Sequence, residues 1–183
     1  MRSLADCIKV YENVVPLELC DAIIAEYEAA TDWVPARVKA TQELDASERD
    51  VDTILMTNPH NTFQRAELDK AVFQCAETAL KLYIAEHPTL AVEKDSGYEL
   101  LRYKTGQAYK PHVDAFKEAP RIVSCSFQLN DGYEGGEWGF FDNQYLVTPP
   151  KGAVVMFPSN FVFPHQINTV TAGTRYSIVT WFL

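Results

Sequence analysis

The stretch Lys110-Pro111-His112-Val113-Asp114-Ala115-Phe116 decides how the rest of this 183-residue chain is read. His112 and Asp114 stand two residues apart, and on extended backbone alternate side chains leave the same face. An imidazole and a carboxylate therefore enter one space together, the beginning of a metal clamp. A third ligand must come from elsewhere, and the chain offers His60, His87 and His165. His165 is the best placed. It follows the apolar run Ala153-Val154-Val155-Met156-Phe157 and precedes another strand-like segment. Two imidazoles and one carboxylate leave other positions of a metal ion open. Ten residues past His165 comes Arg175, in Gly173-Thr174-Arg175-Tyr176-Ser177. A guanidinium in that neighbourhood can grip a carboxylate with two parallel donors.

Outward from this stretch the chain reads as strands. All 8 glycines lie at or after Gly97, so the second half holds the tight turns. Tyr98–Lys104, Tyr109–Asp114, Ile122–Leu129, Glu137–Phe141, Ala153–Phe157, Val162–Ile167 and Thr174–Phe182 are predicted strands, separated by Gly, Pro and Asn-Asp turns. Many short strands so punctuated indicate a β-sandwich or barrel of the jelly-roll type. Gly135 and Gly136 supply the positive φ that a tight reversal needs.

The first 96 residues have few turn-makers and carry the helices. Ile8 to Val15 begins as an alternating strand, and Pro16 then stands where a helix can start. Leu19, Ile23, Ile24 and Tyr27 recur at helical spacing, predicting a helix from about Leu17 to Ala30. Glu67 to Glu86 is the clearest helix. Its stripe of Leu68, Val72, Cys75, Ala79, Leu82 and Tyr83 should lie across the back of the sheet, and His87-Pro88 stops it. Trp33 to His60 has no sustained period. It reads either as a surface loop followed by an edge strand near Val51–Met56, or as a flap over the mouth of the metal site. No linker or repeat divides the chain, so 1–183 is expected to be one domain, with 1–96 as helical support and flap and 97–183 as the jelly-roll core.

Hydrophobic content of 47% and charged content of 22% are those of an ordinary globule. A formal net charge of −9 argues against nucleic acid, which needs clustered Lys and Arg. It suits a basic peptide or a small molecule better. No apolar window is long enough to span a membrane, and Met1 to Asp6 lacks the apolar core of a secretion signal. A cytoplasmic location is expected, with Cys7, Cys20, Cys75 and Cys125 as free thiols.

The ordered set of motifs resembles the prolyl 4-hydroxylase family of 2-oxoglutarate/Fe(II) dioxygenases. It consists of Tyr98-Glu99-Leu100-Leu101-Arg102-Tyr103, Gly106-Gln107-Ala108-Tyr109, His112-x-Asp114, Arg121, Leu129-Asn130-Asp131, Gly135-Gly136-Glu137, Pro150-Lys151-Gly152, His165, Gly173-x-Arg175 and Trp181. The resemblance implies an α+β, mainly β fold, the double-stranded β-helix, with the N-terminal helices packed on one sheet. It implies Fe(II) at His112, Asp114 and His165, with O2 and 2-oxoglutarate as co-reactants. Zinc would fit the same ligands; Arg175, as anchor for the far carboxylate of a diacid, favours iron. By the same resemblance Tyr103, Ser124 and Gln128 reach the cosubstrate, and Arg121 and Trp181 flank a substrate prolyl ring.

The implied reaction hydroxylates proline in a peptide or protein and releases succinate and CO2. The same machinery acting on a free amino acid or another side chain is an alternative. A jelly-roll binding module without turnover is another, against which the intact ligand set and Arg175 both speak. A DNA-repair dioxygenase is disfavoured by the acidic balance.

Overall fold

Thr174-Arg175-Tyr176-Ser177-Ile178-Val179-Thr180-Trp181-Phe182 forms the longest strand of the protein, and its alternation sorts the molecule into layers. The structure is a computed structural model that describes residues 3–38 and 43–183. In chain order its strands are β1 (Lys9–Tyr11), β2 (Val34–Pro35), β3 (Arg49–Asp50), β4 (Asp52–Leu55), β5 (Glu99–Lys104), β6 (Ala108–His112) and β7 (Val123–Gln128). There follow β8 (Glu134–Gly135), β9 (Trp138–Phe140), β10 (Tyr145–Val147), β11 (Val154–Pro158), β12 (His165–Ile167), β13 (Val170–Ala172) and β14 (Thr174–Phe182). The helices are α1 (Leu17–Tyr27) and α2 (Phe63–Glu86).

The larger sheet runs β1-β11-β7-β14-β5-β4-β2 and the smaller β10-β9-β12-β6-β3, with β13 and β8 as a separate ribbon. This is the mainly β architecture of a double-stranded β-helix, with two helices added. Because side chains on a strand alternate between faces, the larger sheet has two different surfaces. Tyr176, Ile178 and Phe182 of β14 join Leu100, Val123, Cys125, Phe127, Val154 and Met156 in one core with α1 and α2. Val179 and Trp181 join Leu101, Tyr103, Val155 and Phe157 in a second core, shared with Trp138, Phe140 and Ile167 of the smaller sheet. Helices therefore cover one face, and the other is free to enclose a site between the sheets.

The second helix starts four residues before the expected Glu67, because the Thr62 hydroxyl accepts from the Arg65 amide at 3.2 Å and caps the helix at Phe63. Its stripe packs as expected except for Leu82, which is exposed; Ala76 takes the buried place instead. The first helix ends at Tyr27, short of Ala30. The Trp33–His60 segment is only partly described, since 39–42 lie outside the described residues. What is described contributes to both sheets. β4 pairs with β5 and is covered on its outer side by β2, so it is not an edge strand, while β3 pairs with β6 in the smaller sheet. The N-terminal half is thus strand-bearing as well as helical.

Leu100 is fully buried between the larger sheet and the helices. Leu100→Ala is expected to cost about 2–5 kcal/mol of stability by lost transfer energy and an unfilled cavity, measured by urea denaturation. A loss under about 0.5 kcal/mol would contradict the packing described.

Candidate metal centre and cosubstrate pocket

β6 and β12 pair so that His112 and His165 stand directly opposite each other. Facing residues of an antiparallel pair project to the same side, so the two imidazoles arrive together, with ring centroids 4.3 Å apart. Asp114 lies just past the end of β6 and turns its carboxylate between them. His112 Nε2 is 3.7 Å from Oδ1, and His165 Nε2 is 3.4 Å from Oδ2. Three ligand atoms within 4.8 Å of one another make this the one group of its kind among the described residues.

Each ring is held by its other nitrogen. His112 Nδ1 bonds the Lys110 carbonyl at 2.8 Å, and His165 Nδ1 bonds the Phe163 carbonyl at 3.0 Å. A carbonyl only accepts, so both Nδ1 atoms carry a proton and both Nε2 atoms face the carboxylate. Outer hydrogen bonds of this kind fix the tautomer a metal needs. Burial pushes His112 down to about 3, helped by His165, so its ring is neutral at ordinary pH. Burial would raise Asp114, but the two imidazoles, Ser124 and Trp181 outweigh it and hold the carboxyl at about 2. His112 and Asp114 are therefore in the protonation states that bind a cation.

Ser124 has a different place from the one expected. Its hydroxyl donates to Asp114 Oδ2 at 2.7 Å and meets Ser159 Oγ at 2.8 Å, so it orients the carboxylate. Around the three ligands is a cleft of about 490 Å³, its open mouth included. Arg175, Tyr103 and Trp181 line it with the three ligands and Ser124. Arg175 is 1% exposed, and one of its donors, Nη1, bonds Ser177 Oγ at 2.9 Å. Its Nε and Nη2 have no partner. Tyr103 lies opposite Arg175 on the neighbouring strand, with the guanidinium 5.5 Å from its ring, and burial raises its phenol so that the hydroxyl stays protonated.

Gln128 and Arg121 are not among the lining residues. The Gln128 amide is turned to the backbone carbonyls of Asn130 and Tyr176. Arg121 lies over the Trp181 ring at 3.6 Å and donates to the Asp114 carbonyl, so these two stack on each other beside the metal ligands. The sequence reading missed Arg49, Tyr109, Ser126, Trp138 and Ser177, all of which line the cleft. Tyr109 stacks on His112 at 3.5 Å, and Arg49 lies 4.9 Å over Tyr109. Ser126 and Ser177 were within reach of period-2 reasoning from Ser124 and Arg175. Gly136, expected only to turn the chain, also makes room: a Cβ there would stand 3.0 Å from Arg175 Cδ.

Ser124→Ala should weaken metal binding about 10- to 100-fold by freeing Asp114, and Asp114→Ala should weaken it further by deleting a ligand. Anaerobic titration with Fe(II), or with Mn(II) in its place, checks both. Unchanged affinity in Ser124→Ala would deny its hold on the carboxylate.

The pattern of the 2OG-Fe(II) oxygenase superfamily matches residues 98–183. The chain is 30% identical over 154 residues to a PKHD-type hydroxylase of Maricaulis maris, covering 81% of this chain and 61% of that protein. It is 27% identical over 138 residues to probable prolyl 4-hydroxylase 3 of Arabidopsis thaliana, covering 72% of this chain and 44% of the relative. The chain thus spans about half the length of these relatives. Its fold matches a Pseudomonas putida prolyl-4-hydroxylase with TM-score 0.75 at 24% identity, over 96% of this chain and 92% of that one. It also matches a Trichoplax adhaerens prolyl hydroxylase, solved with a hypoxia inducible factor peptide fragment, with TM-score 0.81 at 15% identity over 97% and 83%. At such identities the two structures speak for the fold alone. Residues 98–183 carry the pattern of the 2OG-Fe(II) oxygenase superfamily, and the chain resembles the prolyl 4-hydroxylases within it.

Proposed function

We propose that this protein is an Fe(II)- and 2-oxoglutarate-dependent hydroxylase of prolyl residues in a peptide or protein. The observation that carries the reading is a buried guanidinium with two unpartnered N–H groups in the same cleft as a pre-oriented His-Asp-His set. An unpaired buried cation is costly, and a carboxylate entering from the metal side would relieve it. The donor set suits Fe(II), which leaves open positions for a chelating keto acid and for O2.

His112, Asp114 and His165 would hold the metal, and Arg175 would bind the far carboxylate of the cosubstrate, aimed by Ser177. Tyr103 offers a neutral hydroxyl beside the same group. When bound, iron and 2-oxoglutarate supply the oxidising chemistry, with succinate and CO2 released and a hydroxyl left on the substrate carbon. The protein's part is to orient and to exclude water. Trp138, Phe140 and Phe157 surround His165 and keep that side dry. Trp181 and Arg121 form a wall beside Asp114 against which an apolar ring can lie. The hydroxylase activity of the prolyl hydroxylase relatives supports proline as the target.

Arg175→Gln should leave the metal bound while the KM for 2-oxoglutarate rises about 30- to 1000-fold, because a buried charge-assisted contact is lost. An unchanged KM would remove Arg175 from the site. For the substrate, mass spectrometry of proline-containing peptides incubated with Fe(II), 2-oxoglutarate and O2 should find one added oxygen on proline. Succinate release with oxygen on another residue, or on no peptide, would reject proline as the target.

A further inference from the structure

Seven buried side-chain polar atoms among the described residues lack a hydrogen-bond partner, and four of them belong to residues lining the cleft: Arg49 Nε, Trp138 Nε1, Arg175 Nε and Arg175 Nη2. All four are donors. Natural interiors leave few such atoms unsatisfied, so their gathering around one cavity points to an acceptor that occupies it. Trp138 is the most telling. Its indole is enclosed by Phe140 (centroids 6.0 Å apart), Phe157 (5.5 Å) and His165 (5.6 Å), rings that offer its N–H no oxygen. A charged neighbour is the Arg175 guanidinium, whose carbon is 5.9 Å from the indole centroid. That group is itself a donor and cannot satisfy the indole.

An anion placed between them satisfies both at once. We propose that Trp138 is a second anchor for the dicarboxylate cosubstrate, its indole N–H sharing with Arg175 the carboxylate remote from the metal. The inference rests on the 2-oxoglutarate reading above and adds to it a residue outside the motifs that suggested it. Two donor groups of different geometry around one carboxylate also set ligand length, because a shorter or longer diacid cannot meet both donors and the metal together.

The test uses full-length protein loaded with Zn(II), which the ligand set accepts and which is silent in turnover. Calorimetry compares 2-oxoglutarate with 2-oxovalerate, the same keto acid with a methyl in place of the far carboxylate. Trp138→Phe keeps the ring and deletes the N–H. The variant is expected to weaken 2-oxoglutarate about 10- to 100-fold and to change 2-oxovalerate less than about twofold. Equal weakening of both ligands, or of neither, overturns the proposal. Should the wild-type protein fail to bind 2-oxoglutarate, the cosubstrate reading falls and this inference with it. A second measurement avoids the variant's folding altogether. In ¹⁵N,¹³C-labelled wild-type protein, the one of the 3 tryptophan indole protons assigned to Trp138 through its sequential backbone connectivity should shift downfield and gain exchange protection with 2-oxoglutarate. With 2-oxovalerate it should not. An indole signal that ignores 2-oxoglutarate overturns the assignment independently of any substitution.

Discussion

The pairing of His112 opposite His165 is the constraint on which the site depends. On a strand, a slip of one residue sends every side chain to the other face, so either ring would leave the cleft if β12 moved against β6. The register is pinned from both sides, because His165, Gln166 and Ile167 also pair with β9 through Phe140, Gly139 and Trp138. The third ligand then ties the two sheets together. Asp114 follows a strand of the smaller sheet but takes its hydrogen bond from Ser124 of the larger one. The clamp therefore exists only where the sheets are packed at their proper separation. The aromatic core of Trp138, Phe140 and Phe157 sets that separation.

The same core makes the site electrostatically tense. Asp114 and Arg175 are both buried, and each has found only part of what a charge requires. Asp114 is compensated by two imidazoles and by hydrogen bonds from Ser124 and Trp181. Arg175 has one hydroxyl and the faces of Tyr103 and Trp138. Burial of a cation so poorly paired opposes folding, and burial of Leu100, Val123, Phe127 and Ile178 on the helix-facing side of the same sheet offsets that cost. Anything that pairs the guanidinium stabilises the folded state by mass action. Affinity for an anion and stability of the fold are thus linked through one side chain.

Much of this was legible because it is local. His-x-Asp needs only the two-residue period of a strand, and the run from Thr174 to Phe182 announces its own alternation, which places Arg175 and Trp181 on one face. Ser124 and Gln128 show where that reasoning stops. Both project to the cleft side of β7 by parity, yet the Ser124 hydroxyl is taken by Asp114 and the Gln128 amide by backbone carbonyls. Parity gives a face, whereas partners come from tertiary packing. Arg49 was invisible for a different reason. It sits in a stretch without period, where a charged residue reads as solvated, and its burial depends on β3 crossing to the smaller sheet. Strands of two or three residues such as β2, β3, β8 and β13 carry no periodic signal at all, since they are too short to show one.

The cleft is graded along β14. Arg175, Ser177, Val179 and Trp181 project to it in order, and Trp181 pairs with Ser124 at the level of the metal ligands. Six residues of strand separate the backbone positions of Arg175 and Trp181 by about 20 Å. That length is fixed by a central strand paired on both sides, the least deformable element available. The Arg175 end of the cleft is consequently held firmly. Away from Arg175 the lining includes Arg49 from the N-terminal segment and Trp181, on which Arg121 stacks from outside the lining. Both arginines reach back to the metal ligands, Arg49 through Tyr109, which stacks on His112, and Arg121 through its hydrogen bond to the Asp114 carbonyl, so this end of the cleft and the clamp are physically joined.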